Sequence, residues 1–152
     1  MEIILAENHG FCYGVKRAVE MANEAANGAG KSYTLGPIIH NPQVVGRLES
    51  KGVKPIDEVS DIDSGTMIIR SHGVGPAIYE EAENKGLNIV DATCPHVKKA
   101  QQDAKSVIED GMTLVILGEK NHPEVKSINL WANNEGIIIE DEESAQKLQI
   151  VE

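Results

Sequence analysis

The sequence contains few aromatic and few basic residues. Phe, Trp and Tyr make up 3% of 152 residues, so the core must be built from aliphatic side chains. Fourteen Lys and Arg stand against 24 Asp and Glu, a formal net charge of −10. No basic stripe is present to neutralise nucleic-acid phosphates, so we expect no nucleic-acid partner. A small anionic ligand is still compatible, because helix N-termini and histidines act locally.

Long apolar segments are also lacking. No run approaches the ~20 residues needed to span a bilayer, and no basic segment precedes an apolar one at the start, as it would in a signal peptide. We therefore expect a cytoplasmic protein with no membrane partner. In a reducing compartment, the two widely separated cysteines fit metal ligation or redox chemistry better than a disulfide.

Short apolar runs alternate with segments of helical periodicity along the whole chain. Strands are predicted at 3–6, 32–35, 53–56, 66–69, 87–90, 112–117 and 137–139, the first of them buried. Helices are predicted at 15–27, from Pro42, at 76–85, from Pro95, from Pro123 and at 141–148. This order indicates an α/β fold of small parallel sheets flanked by helices. We predict a first α/β domain at 1–95 and a second at 96–152, bridged by the helix after Cys94.

Both cysteines lie at predicted starts of helices. Cys12 is flanked by Gly10 and Gly14, and Cys94 is followed by Pro95. A thiol at such a junction lies at the positive end of the helix dipole, which favours the metal-binding thiolate. A free cysteine is often only a small buried hydrophobe, but the flanking glycines and proline indicate special backbone geometry.

Four of the six prolines fall just inside predicted helix starts, where a missing N–H is harmless. The residues just ahead of these prolines are His40, His72, Cys94 and His122. One such junction would be ordinary punctuation of a turn, and a single loop histidine is usually a surface residue. Four junctions with Cys or His predict a shared site at the carboxyl ends of parallel strands.

The histidines could ligate a metal or bind a diphosphate. Next to His72, Gly73 and Gly75 permit close approach to the backbone, and Ser71 adds a hydroxyl donor. These features suit phosphate oxygens better than a soft metal. Glu124, in the first turn of a predicted helix, could interact with the helix dipole alone or donate a proton in a cleft.

Five motifs together resemble the N-terminal part of the LytB/IspH family, the hydroxymethylbutenyl diphosphate reductases. In chain order they are Gly10-Phe11-Cys12-Tyr13-Gly14-Val15, Ile39-His40-Asn41-Pro42, Ser71-His72-Gly73-Val74, Asp91-Ala92-Thr93-Cys94-Pro95, and Gly118 with His122-Pro123-Glu124-Val125. The resemblance spans essentially the whole chain. It implies a trefoil-like architecture of three α/β domains, of which this chain carries the first and an incomplete second, while the third is absent.

The resemblance also implies an activity. The family is an oxidoreductase of the non-mevalonate isoprenoid pathway, which removes the hydroxyl of an allylic diphosphate with two electrons and two protons. It uses a [4Fe–4S] cluster and an electron donor such as ferredoxin or flavodoxin. By resemblance, Cys12 and Cys94 would be two of three cluster ligands, the three candidate histidines would hold the diphosphate, and Glu124 would deliver the proton.

The chain departs from the family pattern in its length. The third cluster cysteine of the family lies beyond the equivalent of residue 152, so we expect this chain alone to be an inactive fragment without a stable four-iron cluster. The alternative is a non-catalytic α/β module that binds an anion or zinc through the same Cys and His residues.

Overall fold

The strands form two parallel sheets in a computed structural model that describes residues 2–7, 9–28 and 30–148. The first sheet has the order β2-β1-β3-β4 and consists of β1 (Ser32–Leu35), β2 (Val53–Ile56), β3 (Thr66–Ile69) and β4 (Asn88–Asp91). The second sheet pairs β5 (Val115–Leu117) with β6 (Ile137–Ile139). All pairings are parallel, which confirms the predicted fold class.

Helices alternate with these strands. They are α1 (Tyr13–Ala26), α2 (Pro42–Ser50), α3 (Pro76–Asn84), α4 (Pro95–Glu109), α5 (Pro123–Trp131) and α6 (Glu142–Gln146), with a 3-10 turn at Val59–Asp61. A proline opens α2, α3, α4 and α5, as predicted. In the described part of the chain, no helix is both long enough and apolar enough to cross a membrane.

The strand ends of the first sheet are aligned. Leu35 of β1 pairs with Ile56 on one side and with Ile69 on the other, and Ile69 pairs with Asp91. All four strands therefore finish at the same edge. The loops that follow them emerge together, which is where open parallel sheets place their ligands.

The core lies on both faces of this sheet and is aliphatic, as the composition predicts. On one face, α1 and α2 bury Ala18 and Leu48 against Ile68. On the other face, α3 and the 3-10 turn cover Met67 and Ile69. The three strand residues are 0% exposed, and burying each contributes about 1.5–3 kcal/mol. The edge that carries the site loops therefore belongs to a well-packed sheet.

The predicted buried strand at residues 3–6 is wrong. These residues form no strand, and Ile3, Ile4 and Leu5 are 74%, 83% and 77% exposed. An apolar run indicates a preference for extended backbone, but a strand also needs a neighbour to complete its hydrogen bonds. No strand in the described ranges supplies that neighbour. Cys12 therefore follows an exposed segment rather than the end of a strand.

The second sheet is smaller than the sequence indicated. The run at 112–117 forms a strand only at Val115–Leu117, and Leu117 is 79% exposed. The first sheet ends at Asp91 and α4 leads from it toward the second sheet. The domain boundary near residue 95 stays a prediction.

Candidate functional site

Three histidine rings meet at the edge of the first sheet. The ring centroids of His40 and His72 are 4.6 Å apart, those of His72 and His122 are 5.6 Å apart, and those of His40 and His122 are 6.2 Å apart. One ring nitrogen of each lies within 4.8 Å of the other two. The structure thus brings His40 and His122, which are 82 positions apart in the sequence, into one cluster with His72.

Each histidine comes from a different loop. His40 directly precedes Asn41, the N-cap of α2, whose side chain accepts a hydrogen bond from Val44 N at 3.0 Å. His122 is itself the N-cap of α5. His72 lies in the turn after β3, whereas Gly75 caps α3, so the expectation that His72 stands at a helix start is wrong. Two of the rings therefore lie near helix N-termini.

A backbone hydrogen bond sets the tautomer of His122. The N–H of Glu124 donates to His122 Nδ1 at 3.2 Å. The Nδ1 atom therefore carries the lone pair, and in the neutral ring the proton sits on Nε2. His122 thus presents its Nε2–H as a hydrogen-bond donor.

His72 is neutral at pH 7. Burial lowers its pKa to about 4, and the charges of His40, Arg70 and His122 act in the same direction. Its Nδ1 atom is buried and has no hydrogen-bond partner within the described residues. An anion placed among the rings would oppose these effects and favour the protonated form.

The two thiols belong to adjoining helix starts. Cys12 is the N-cap of α1 and is exposed, and Cys94 is the N-cap of α4 and is half-buried. A Cβ added to Gly14 would lie 2.5 Å from Cys94 Sγ, so the Cys94 thiol rests on the first turn of α1. Arg17 strengthens this junction, because its Nη1 donates to the carbonyl of Thr93 at 3.1 Å.

The thiols and the histidine cluster are linked through the backbone. Cys94 N donates to the carbonyl of Ser71 at 2.9 Å, directly before His72. The group of ring nitrogens within 4.8 Å of one another includes neither thiol nor the carboxylate of Glu124. Glu124 is half-buried in the first turn of α5, next to the cluster. The site therefore has a histidine part and a neighbouring thiol part.

The features expected to bind phosphate around His72 have a different use. Ser71 is 6% exposed, and its hydroxyl faces the carbonyl of Ile38 at 3.4 Å. A side chain at Gly73 would collide with Gln101, and one at Gly75 with Leu130. The two glycines thus make room for neighbouring helices rather than for a ligand.

Sequence reasoning missed two buried polar residues behind the cluster. Gln101 and Ser127 are each 2% exposed, and Gln101 Nε2 donates to Ser127 Oγ at 3.2 Å. A signal was present: Gln101 interrupts the buried stripe of α4 between Val97 and Ala104. A polar residue in the apolar stripe of a helix indicates a specific partner.

Known proteins resemble this chain over nearly its whole length. The profile of the family described as LytB protein matches residues 3–152. The 4-hydroxy-3-methylbut-2-enyl diphosphate reductase of Geotalea uraniireducens is 52% identical over 148 residues, which are 97% of this chain and 52% of that protein. The protein of the same name from Caldanaerobacter subterraneus subsp. tengcongensis is 46% identical and aligns with 100% of this chain and 54% of its own length.

Solved structures give the same picture. A (E)-4-hydroxy-3-methyl-but-2-enyl diphosphate reductase, described as the terminal enzyme of the non-mevalonate pathway, superposes with a TM-score of 0.82 at 45% identity, over 95% of this chain and 53% of that one. The E-1-hydroxy-2-methyl-but-2-enyl-4-diphosphate reductase from Plasmodium falciparum has a TM-score of 0.90 at 32% identity, over 95% and 46%. The chain spans about half the length of these relatives. Because the profile covers all but two of its 152 residues, the chain belongs to the LytB family.

Proposed function

We propose that this chain carries part of the active site of a 4-hydroxy-3-methylbut-2-enyl diphosphate reductase. The reaction is the reductive removal of the C4 hydroxyl, which yields isopentenyl and dimethylallyl diphosphate. The observation that carries the proposal is the convergence of three histidine rings at one sheet edge, with ring nitrogens within 4.8 Å. The family membership reported above supports the same reaction.

The hydrogen bonding of His122 favours an anion over a metal in the histidine cluster. A metal needs a lone pair from each ring, and the Nδ1 lone pair of His122 already accepts the N–H of Glu124. The remaining Nε2–H suits a phosphate oxygen. At the start of α5, Pro123 has no N–H and the N–H groups of Glu124 and Lys126 are bonded to His122, so the helix end attracts a diphosphate through its dipole. The zinc-binding alternative would have to break this cap.

The thiol part of the site suits an iron–sulfur cluster. Thiolates are the ligands that such clusters prefer, and the missing side chain at Gly14 lets Cys94 Sγ lie against the first turn of α1, the helix that Cys12 caps. Cys12 and Cys94 would hold a [4Fe–4S] cluster together with a third ligand that is not among these 152 residues. When bound, the cluster supplies electrons and a Lewis-acidic iron to the reaction.

Glu124 has the role of proton donor in this proposal. Breakage of the C4–O bond releases water, so one proton must reach the departing oxygen, while two electrons and a second proton complete the allylic product. Glu124 follows His122 by two residues, in the first turn of α5. While His122 donates a hydrogen bond to the diphosphate, the carboxyl group of Glu124 can serve the hydroxyl end of the same ligand. The histidines bind and orient, and Glu124 supplies the first proton.

The proposed partners are those that the resemblance to the LytB family implies. The substrate is a small allylic diphosphate, and the electron donor is a ferredoxin or flavodoxin in the cytoplasm. Because only two of three cluster thiols are present, we expect this chain alone to lack activity. After anaerobic reconstitution the chain should lose iron on desalting. Iron content and visible absorption before and after desalting measure this loss.

The test of the histidine site uses inorganic pyrophosphate as the probe. We expect isothermal titration calorimetry of this chain to show one pyrophosphate bound per chain, with affinity reduced about tenfold or more in His122→Asn. His9→Asn is the matched control, because His9 is exposed and lies outside the cluster. Zinc binding that requires His122, without any pyrophosphate binding, would favour the alternative module.

A further inference from the structure

A chain of hydrogen bonds runs behind the histidine cluster. Gln101 Nε2 donates to Ser127 Oγ at 3.2 Å, and Ser127 Oγ lies 2.7 Å from the carbonyl oxygen of His72. The hydroxyl is also 3.0 Å from the carbonyl of Glu124, in its own helix. A hydroxyl has one proton, and the shorter distance assigns it to His72. The backbone of His72 is therefore bonded to the side of α5.

These hydrogen bonds join the three elements that carry the candidate site residues. Gln101 belongs to α4, which begins after Cys94, and Ser127 belongs to α5, which begins after His122. The acceptor carbonyl belongs to the turn that carries His72 itself. The partners are 26 and 55 positions apart in sequence, so only the tertiary fold brings them together.

One face of α5 lies along the turn at 72–75. Ser127, Leu130 and Trp131 have the i, i+3, i+4 spacing of a single helix face. Trp131 Nε1 donates to the carbonyl of Val74 at 2.9 Å, and Leu130 occupies the space beside Gly75. Of these three residues, Ser127 is the one bonded to His72.

The turn also rests on Gln101. Gly73 has φ of +71°, and a side chain there would collide with the Gln101 amide and with Thr93. A buried amide and a buried hydroxyl cost free energy unless both are bonded. An apolar pair would fill the same space at lower cost, but it would not direct the His72 carbonyl toward one point.

We propose that Ser127, oriented by Gln101, is a positioning residue that sets the distance between the His72 and His122 rings. Both rings depend on α5: His122 through its place at the helix start, and His72 through the Ser127 bond one turn further on. The expected change in pyrophosphate affinity rests on the proposed diphosphate role of the histidines. The expected change in the distance between the His72 and His122 rings does not depend on that role.

Three variants of this chain test the proposal: Ser127→Ala, Gln101→Met, and the double variant. Ser127→Ala leaves the Gln101 amide and the His72 carbonyl without partners, so it should lose both stability and affinity for inorganic pyrophosphate. The double variant removes both polar side chains but still leaves the His72 carbonyl without its partner, so it should recover the part of the stability that the unpaired Gln101 amide costs. We expect its pyrophosphate affinity to stay about tenfold below that of the unaltered chain, the factor for one ordinary hydrogen bond.

Trp131→Phe is the matched control, because it removes a hydrogen bond between the same helix and the same turn but at Val74. We expect it to lower stability with a smaller effect on pyrophosphate affinity. Equal losses of affinity in Trp131→Phe and Ser127→Ala would overturn the proposal, as would a double variant with unaltered affinity. If Ser127→Ala does not fold, Ser127→Cys, which keeps the volume and weakens the donor, replaces it.

Histidine side-chain NMR separates this proposal from the proposed function. The nuclear Overhauser contacts between the His72 and His122 rings should weaken in the double variant and persist in Trp131→Phe. If the unaltered chain binds no pyrophosphate, the diphosphate site is contradicted while the ring contacts still decide the positioning role. Ring contacts unchanged in the double variant would show that Ser127 does not set the spacing.

Discussion

The two sheets of this protein differ in how well they are packed, although loops from both carry residues of the candidate site. In the first sheet, Met67 and Ile68 of the central strand are 0% exposed. In the second, Leu117 is 79% exposed and Val115 and Ile137 are each 39% exposed. A sheet of two strands is marginal by itself. The positions of His122 and Glu124, which lie in the second region, must therefore be fixed by contacts outside this sheet.

The packing of α4 against α5 supplies these contacts. Gln101 of α4 bonds Ser127 of α5, and α5 in turn bonds the turn at 72–75 through Ser127 and Trp131. His122 and Glu124 are thus held against the well-packed first sheet rather than by their own sheet. The candidate site residues of the second region are therefore held in place by hydrogen bonds to the first region.

The largest expected effect is a difference in stability between substitutions in the first sheet and in the second. Ile68→Ala removes a side chain buried at the centre of the first sheet and should lower the free energy of unfolding by about 2–5 kcal/mol. Leu117→Ala, in the exposed second sheet, should change it by less than about 0.5 kcal/mol. Urea denaturation followed by circular dichroism measures both. Equal losses would contradict the difference in support between the sheets.

The next effect concerns turnover in a protein that contains this sequence together with the third cluster ligand. Glu124→Gln keeps the shape but removes the carboxylic proton, so kcat should fall by at least ~10²-fold. The measurement is steady-state kinetics with a reduced one-electron donor. A near-normal kcat would leave Glu124 as a residue that only interacts with the helix dipole.

Substitution of histidines from the two regions should have the same kind of effect. His40→Asn, from the first region, and His122→Asn, from the second, should both raise KM and leave kcat comparatively unchanged, as loss of uniform binding does. The same kinetic assay measures both. If only one of the two variants changed KM, the regions would not share the diphosphate.

A smaller effect is a pH dependence of stability that originates in His72. Its pKa is about 4 in the folded protein, against an ordinary value of 6.5 in the unfolded chain. Between these values the unfolded chain binds more protons, so stability should fall as the pH is lowered from about 6.5 to 4. Denaturation midpoints across this range should fall more steeply for the unaltered chain than for His72→Asn. Identical slopes would refute the assignment to His72.

The smallest effect tests a polar contact of the first region. Tyr79 donates to Asp91 Oδ2 at 3.0 Å, and burial raises the pKa of Tyr79, with Asp91 adding to the shift. Tyr79→Phe should lower stability by about 1 kcal/mol, because Asp91 keeps Lys98 and the N–H of Thr93. Lys99→Ala, in an exposed pair with Asp103, is the control and should cost less than about 0.5 kcal/mol.

Much of the fold could be predicted from local patterns. The strands Ser32–Leu35, Val53–Ile56 and Thr66–Ile69 match their predicted bounds, and proline marks the start of four helices. These features depend on residues close together in sequence, where periodicity and backbone preference act. The run at 3–6 failed because its apolar residues could not reveal whether a neighbouring strand was present.

The α/β order, the aliphatic core and the candidate histidines and thiols could all be recognised from residue types and local periodicity. How these residues meet depends on the folded molecule: the cap that makes His122 an Nε2–H donor, the burial that keeps His72 neutral, and the pair of Gln101 and Ser127 behind them. The reason is physical. Residue types and local periodicity are written along the chain, whereas desolvation and hydrogen-bond partners depend on groups that come together only on folding.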